Sequence, residues 1–324
     1  VAVLVVAVLG LASEASAQSG GLAPGLQYNY GEQETPRAAA LGGAVRALGN
    51  GTTALFANPA DLVATRVYHL QALGQIAPES DRQIYGGAIV DSITGRLAGG
   101  LAVVGGWVNG SGDELERSLI DVRFALAYPL GDRFFIGLAG RYLKVSQSGI
   151  HGPFGDSLVS GGLAEVPGDR SNRSALVNTP TFDAGITIRA TDELYLAVLG
   201  QNLTYPNNGI LPTMLGGAIG YGTKDVTVEV DGVADFTSYA KTTARLMAGG
   251  EYLLGDRFPL RVGYRFDQGA NSHAASVGLG YLTPEFGVEA SVRRTISDPG
   301  LTTVVIGLSY FLESSGLTRT PHEL

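Results

Sequence analysis

The chain has 324 residues, a formal net charge of −8, no cysteine and only 16% charged residues, against roughly 25% in soluble domains. Its 47 glycines are about twice the usual share. Without cysteine it has no disulfide and no thiolate metal site, and its acidic balance argues against a nucleic-acid partner, whose phosphates call for clustered Lys and Arg.

Residues Val1 to Ala12 are almost wholly apolar, and Ala15-Ser16-Ala17 forms a small-x-small cleavage site before Gln18. A helix of about a dozen residues is too short for a ~30 Å hydrocarbon core. Residues 1–17 therefore read as a cleavable secretory signal. The missing charged n-region and initiating Met imply that the sequence starts inside that signal. No later apolar run reaches about 18 residues, which leaves an exported soluble protein or a barrel.

Residues 18–65 carry no strand pattern. The stretch Arg37 to Asn50 is small and apolar, and Ala54-Leu-Phe-Ala-Asn-Pro-Ala-Asp-Leu-Val63 comes next. Asn58-Pro59 is a turn or helix-start signal, with Asp61 able to help cap the segment after it. Phe56, Leu62 and the many alanines predict a compact plug in a barrel mouth rather than a loose leader.

From about Arg66 the chain alternates with period two between regularly spaced turns. This predicts strands at 66–77, 82–91, 95–108, 116–129, 132–147, 178–190, 193–203, 212–222, 225–236, 241–254, 257–267, 271–282, 285–295 and 301–312. At 132–147, Phe134, Ile136, Leu138, Gly140 and Tyr142 share one face and Gly137, Ala139 and Arg141 the other. A soluble sandwich also alternates, but its polar face is rich in Lys, Glu, Thr and Ser. Here that face holds Gly, Ala and sparse charges, while the apolar face gathers aromatics near strand ends, as in outer-membrane barrels. Every second connection is short, and the one long connection, 148–178, falls on the opposite side. Tyr128, Phe134, Tyr221, Tyr252, Phe258, Tyr281, Phe286 and Tyr310 sit beside the short turns; Trp107, Tyr142 and Phe266 sit at the other ends. Both rims thus carry an aromatic girdle. The predicted fold is all-β: a transmembrane antiparallel barrel of 14 strands over residues 66–312, with a hatch at 18–65 and a polar periplasmic tail at 313–324.

The opening carries a family resemblance. Arg37, Gly42, Gly43, Ala44 and Ala47, then Asn58, Pro59, Ala60 and Leu62, then a barrel, resemble the FadL/TodX superfamily of outer-membrane transport proteins. The PorV/PorQ-like barrels share this opening, and Gln201-Asn202-Leu203 resembles a motif of that branch. Gly307, Tyr310 and Leu312 resemble the signal by which the barrel-assembly machinery recognises terminal strands. The resemblance implies a bacterial outer-membrane barrel whose hatch plugs the lumen. It implies passive transport of long-chain fatty-acid-like or hydrocarbon-like molecules, released sideways through a kinked third strand. On that implication Gly99, Gly100, Gly105 and Gly106 are candidate gate residues, because glycine in a strand often marks a bulge or bend; the plainer reading is ordinary small residues of a glycine-rich barrel. The chain departs from the classical members in its length and its short outer loops. Only 148–178, with Ile150, Phe154, Leu158, Val159 and Leu163, is long enough to capture a greasy ligand.

Alternation points Asp121, Arg123, Arg141, Arg189, Glu229, Arg245, Glu251, Arg261, Arg265, Asp267, Glu289 and Arg293 into the lumen. In low dielectric these must pair, and a salt-bridge lattice holding the plug is expected in preference to a selectivity ring. Catalytic signals are poor. His69, His151, His273 and His322 are scattered without metal-ligand spacing; His69 and His273 are candidates to face the lumen, where a lone histidine is usually structural, and Gly217 to Lys224 lacks the Lys-Ser/Thr ending of a phosphate loop. No enzyme activity, metal or cofactor is expected. Two functions remain: a hydrophobic-molecule transporter, or a non-conducting PorV-like barrel serving a secretion or surface-assembly machine. The expected partners are outer-membrane lipid, the assembly machinery, and a hydrophobic ligand or secretion-system proteins. A continuous greasy path favours the first reading, and a polar blocked lumen the second.

Overall fold

A computed structural model describes residues 33–109, 116–148, 174–206, 209–297 and 300–312. The expected signal, the first part of the hatch, most of the 148–178 connection and the 313–324 tail lie outside the described residues. The strands are β1 (Tyr68–Ala77), β2 (Arg82–Asp91), β3 (Ala98–Asn109), β4 (Glu116–Pro129), β5 (Phe134–Ser148), β6 (Ser174–Arg189), β7 (Leu194–Gln201), β8 (Met214–Gly222), β9 (Val226–Asp235), β10 (Thr243–Leu254), β11 (Phe258–Asp267), β12 (Ser272–Leu282), β13 (Phe286–Thr295) and β14 (Thr302–Leu312). Each pairs antiparallel with its sequence neighbour, and β1 closes on β14 from Tyr68↔Leu312 to Ile76↔Val304.

All fourteen expected strands form. The largest difference in extent is β6, which starts at Ser174 rather than 178. Its pairing with β5 shifts register between Val145 and Ser146, and a bulge of this kind interrupts the alternation by which a strand is read. β7 stops at Gln201, because Asn202 turns into the left-handed region at φ 52°.

The outward face is a hydrocarbon surface. Leu138, Val262 and Leu279 each leave 60% or more of their area bare, which lipid tolerates and water does not. At the short-turn rim the rings of Phe258, Tyr281 and Phe286 stand in a row with centroids 5.2 and 5.9 Å apart. At the long-loop rim Tyr85 meets Trp107 at 5.7 Å. The girdles fall where amphipathic rings prefer to lie.

Residues 33–67 occupy the lumen. Helix α1 (Pro36–Ala40) is capped by Thr35, whose hydroxyl accepts from the Ala38 amide at 3.3 Å. Helix α2 (Gly51–Ala57) runs into a 3-10 turn, Pro59–Val63, whose start is capped by Asn58 accepting from the Ala60 amide at 3.1 Å. Glycines on the inner wall let this segment reach the strands. A Cβ on Gly137 would fall 2.3 Å from the Ala60 nitrogen, one on Gly263 2.3 Å from the Gly42 nitrogen, and one on Gly220 2.4 Å from Leu48. Part of the glycine surplus is thus a docking surface for the plug.

Candidate functional site

The lumen is two-sided. On the β9–β13 side the plug meets charge. Alternation aims Glu229 and Asp231 of β9 inward together. Asp231 accepts from the amides of Val45 and Arg46, at 3.2 and 3.3 Å, and from the Arg46 guanidinium at 3.0 Å. Glu229 accepts from the amides of Ala47 and Leu48, at 2.6 and 3.0 Å. Two carboxylates therefore receive four successive backbone N–H groups. Just before them the chain turns at Gly42 and Gly43, with φ 67° and 91°, a conformation that L side chains resist.

Beside this grip runs an ionic chain. Arg37 pairs with Glu251 at 3.2 Å and donates to the Leu48 carbonyl at 2.9 Å. Arg261 joins Glu251 to Glu289, each at 2.5 Å. Arg293 holds Glu34 at 2.6 Å, and Arg245 pairs with Asp267 at 3.0 Å. Arg265 lies 3.9 Å from Glu34. Buried charges persist only when paired in this way, so the expected salt-bridge lattice is present and clamps the plug.

On the β2–β6 side the same plug meets hydrocarbon. Leu55, Phe56, Leu62 and Val63 pack with inward residues of the wall in one buried cluster. That wall runs from Ile84, Val104, Leu119 and Val145 toward the long-loop rim to Val90, Ala98, Ala127 and Phe135 at the short-turn rim. Ile210 and Leu211 of the β7–β8 connection cover its upper part. One ionic island interrupts it: Asp121 accepts from Arg123 at 3.2 Å and from Arg141. Arg123 also donates to the Phe56 carbonyl at 3.1 Å and lies 5.1 Å from the Phe56 ring centre. Between the two sides a polar cavity of about 60 Å³ remains among Glu34, Arg46, Phe56, Arg123, Asn202 and Arg265.

The hatch motif residues come together as one body. Asn58 donates to the Arg46 carbonyl and to Thr187, at 2.7 and 2.9 Å. Pro59 and Ala60 lie against Gly137, Gly43 lies beside Arg265 and Met247, and Ala44 packs with Met214, Val233 and Met247. Three expectations need correction. Gly99, Gly100, Gly105 and Gly106 form no kink among the described residues: β3 pairs with β4 from Ala98↔Ala127 to Asn109↔Glu116 in one register. Gly100 and Gly106 serve close packing instead, the first against Leu55 and the second against the β2 backbone at Gln83 and Ile84. Arg189 leaves the lattice for Asp192, 2.8 Å away at the short-turn rim. His273, a candidate for the lumen, points outward and meets the Tyr264 hydroxyl; His69 does face the lumen, between the Thr52 amide and Ser309.

Sequence reading does not single out several residues that matter. Asp231 and Asp183 obey the same alternation as Glu229 and Thr187 and are readable from it. Asp61 accepts from Thr187 at 2.5 Å and from the Gly49 amide at 3.1 Å, and Glu34 anchors the N-terminal end of the plug; neither carries a strand signal. At the long-loop rim Glu79, in the turn after β1, accepts from the Thr302 hydroxyl at 2.7 Å and its amide at 2.9 Å. These bonds hold its carboxyl below the usual range and tie the closing seam of the barrel.

Fold and lumen together define a plugged transmembrane β-barrel. No family model and no curated protein sequence matches the chain, but solved structures do. The toluene transporter TbuX of Ralstonia pickettii matches with TM-score 0.62 at 14% identity, over 87% of this chain and 99% of that one. The CymD monoaromatic hydrocarbon channel matches with TM-score 0.62 at 16% identity, over 88% and 98%. A Pseudomonas aeruginosa FadL homologue matches with TM-score 0.60 at 15% identity, over 86% and 98%. The fold is that of the FadL/TodX barrels.

Proposed function

We propose that the protein is a passive, energy-independent conduit for small hydrophobic molecules, fatty-acid-like or hydrocarbon-like, in the bacterial outer membrane, with residues 18–65 as hatch. The observation that carries this reading is the apolar wall of β2–β6, which has apolar residues at both rims and passes around the one ionic island of Asp121, Arg123 and Arg141. A greasy solute moving along it stays out of water while the plug gives way on that side. The neighbours of like fold named as hydrocarbon transporters support the same class of cargo. The test is uptake of radiolabelled oleate and toluene by cells with and without the protein. Slower uptake on deletion is expected for at least one of them.

A second reading rests on the other side of the lumen. The ionic clamp and the small polar cavity suit a barrel that conducts nothing and serves a secretion or surface-assembly machine. Unchanged uptake together with lost export of a surface protein would establish it and reject the conduit.

A further inference from the structure

A barrel wall resists opening because each strand pair is a ladder of hydrogen bonds, and inside a membrane no water replaces a broken one. The ladder is uneven here. β6 has 16 residues, but only Ala184–Arg189 pair with β7. On its other side β6 pairs with β5 from Ser174 to Ile188. Among the described residues the outer part of β6, Ser174–Asp183, therefore has no strand partner toward β7. The seam between β3 and β4, by contrast, is paired over the whole of β3.

A turn closes the gap. After Gln201 the chain reverses through Asn202 and Tyr205, both with positive φ. The Leu203 amide donates to the Phe182 carbonyl at 2.9 Å, the Asn202 amide to Asp183 at 2.7 Å, and the Thr204 hydroxyl to Thr181 at 2.9 Å. Since the Phe182 carbonyl points at the turn, so does the backbone of Pro180 two residues away. A proline, which has no N–H to offer, thus stands on an edge that has no strand partner toward β7 among the described residues, where strands ordinarily accept one.

Both sides of this gap are greasy. Outside, Phe182, Leu203 and Tyr205 are exposed, and Leu203 folds over the outward face of Gly200. Inside lie Val177, Leu143 and Leu211, part of the apolar wall. The gap begins beside the long-loop girdle, since Pro180 of β6 stands opposite Tyr142 of β5. If the turn swings away, Asp183 loses the Asn202 amide but stays within electrostatic reach of Arg123 and Arg141.

We propose that the seam between the outer part of β6 and the turn at Asn202–Tyr205, rather than β3, is the lateral doorway of the barrel. Small hydrophobic molecules cross the wall there, between the membrane's long-loop interface and the apolar side of the lumen. The inference rests on the conduit reading above.

The chain has no cysteine, and the side-chain oxygens of Thr181 and Thr204 lie 2.9 Å apart, so a Thr181→Cys/Thr204→Cys pair is placed to form a disulfide after a small adjustment. The probe is N-phenyl-1-naphthylamine, and the readout is its uptake by cells carrying the full-length protein. Reduced, the double variant should match the wild type; oxidised, it should fall to the rate of cells without the protein, and reductant should restore it. An oxidised variant with its disulfide verified by mass that still conducts like the wild type overturns the doorway and leaves the conduit standing. Wild-type uptake no faster than in cells lacking the protein rejects the conduit and the doorway together. A single variant guards against misfolding of the pair: Leu203→Cys coupled to a bulky maleimide should lose uptake, whereas the same label on Val262→Cys, on the lipid face of β11, should not. Equal uptake by the two labelled proteins also overturns the doorway.

Discussion

On the β9–β13 side the plug is met by guanidinium and carboxylate groups at hydrogen-bonding distance, whereas on the β2–β6 side the same plug is met mainly by valine, leucine, alanine and phenylalanine, with Arg123 on the Phe56 carbonyl and Thr187 on Asn58 and Asp61 as its polar contacts. Charge-assisted hydrogen bonds are directional, so Glu229, Asp231, Glu251 and Arg261 fix where Arg37 and residues 45–48 must lie. Hydrophobic contact is non-directional and depends mainly on area, so Leu55 and Leu62 can shift against their wall and lose little. The contrast implies that the ionic side anchors the plug and the apolar side lets it move.

The strongest way to break this contrast is to remove an anchor. Arg261→Ala leaves Glu289 and half of Glu251 without their cation in a buried site, a defect that costs about 3–5 kcal/mol. The urea midpoint of the barrel refolded in detergent micelles measures it, and amide exchange at Val45–Leu48 should quicken at the same time. A loss well below that range, with exchange unchanged, would mean that the ionic side does not anchor. Leu55→Ala tests the opposite half. It opens a cavity between α2 and the wall at Gly100, at a cost of about 2–4 kcal/mol. Exchange at Val45–Leu48 should stay slow, because none of the ionic contacts involves Leu55.

The outer face was more legible than the lumen for a physical reason. Hydrocarbon imposes one rule on every outward residue, so period-two alternation exposes all fourteen strands even where a turn is only two residues long. Inward residues obey whatever faces them. That Glu229 points inward comes from alternation, but that it receives the Ala47 and Leu48 amides depends on a contact spanning about 180 positions, and no local pattern encodes that. The glycines of β3 show the same ambiguity. Absence of a Cβ permits either a kink or a close approach, and which one occurs is decided by Leu55 and by β2 lying against Gly100 and Gly106. Pro180 is the counterexample: a proline inside a strand pattern demotes it toward an edge, and at that point β6 has no strand partner toward β7 among the described residues.

One substitution made in each half gives the finest comparison. Gly263→Ala places a methyl carbon 2.3 Å from the Gly42 nitrogen and the Leu41 carbonyl carbon. Those are backbone atoms held by the ionic side, so they have nowhere to go. The expected cost is about 1–3 kcal/mol, with faster exchange at Val45–Leu48 as the plug is lifted. Gly100→Ala places its methyl 3.1 Å from Leu55 Cδ1 and 3.2 Å from Val90 Cγ2. The first is the tip of a flexible leucine, the second belongs to a stiffer valine, and a few tenths of an ångström of movement relieves both. The unfolded chain meanwhile loses some of glycine's freedom, which favours the folded state by about 0.4–1 kcal/mol. The two terms oppose each other, and the urea midpoint of Gly100→Ala should lie within about 0.5 kcal/mol of the wild type. A Gly100→Ala protein as damaged as Gly263→Ala would show the apolar wall to be as rigid as the ionic one, and the idea that the plug gives way on that side would fail.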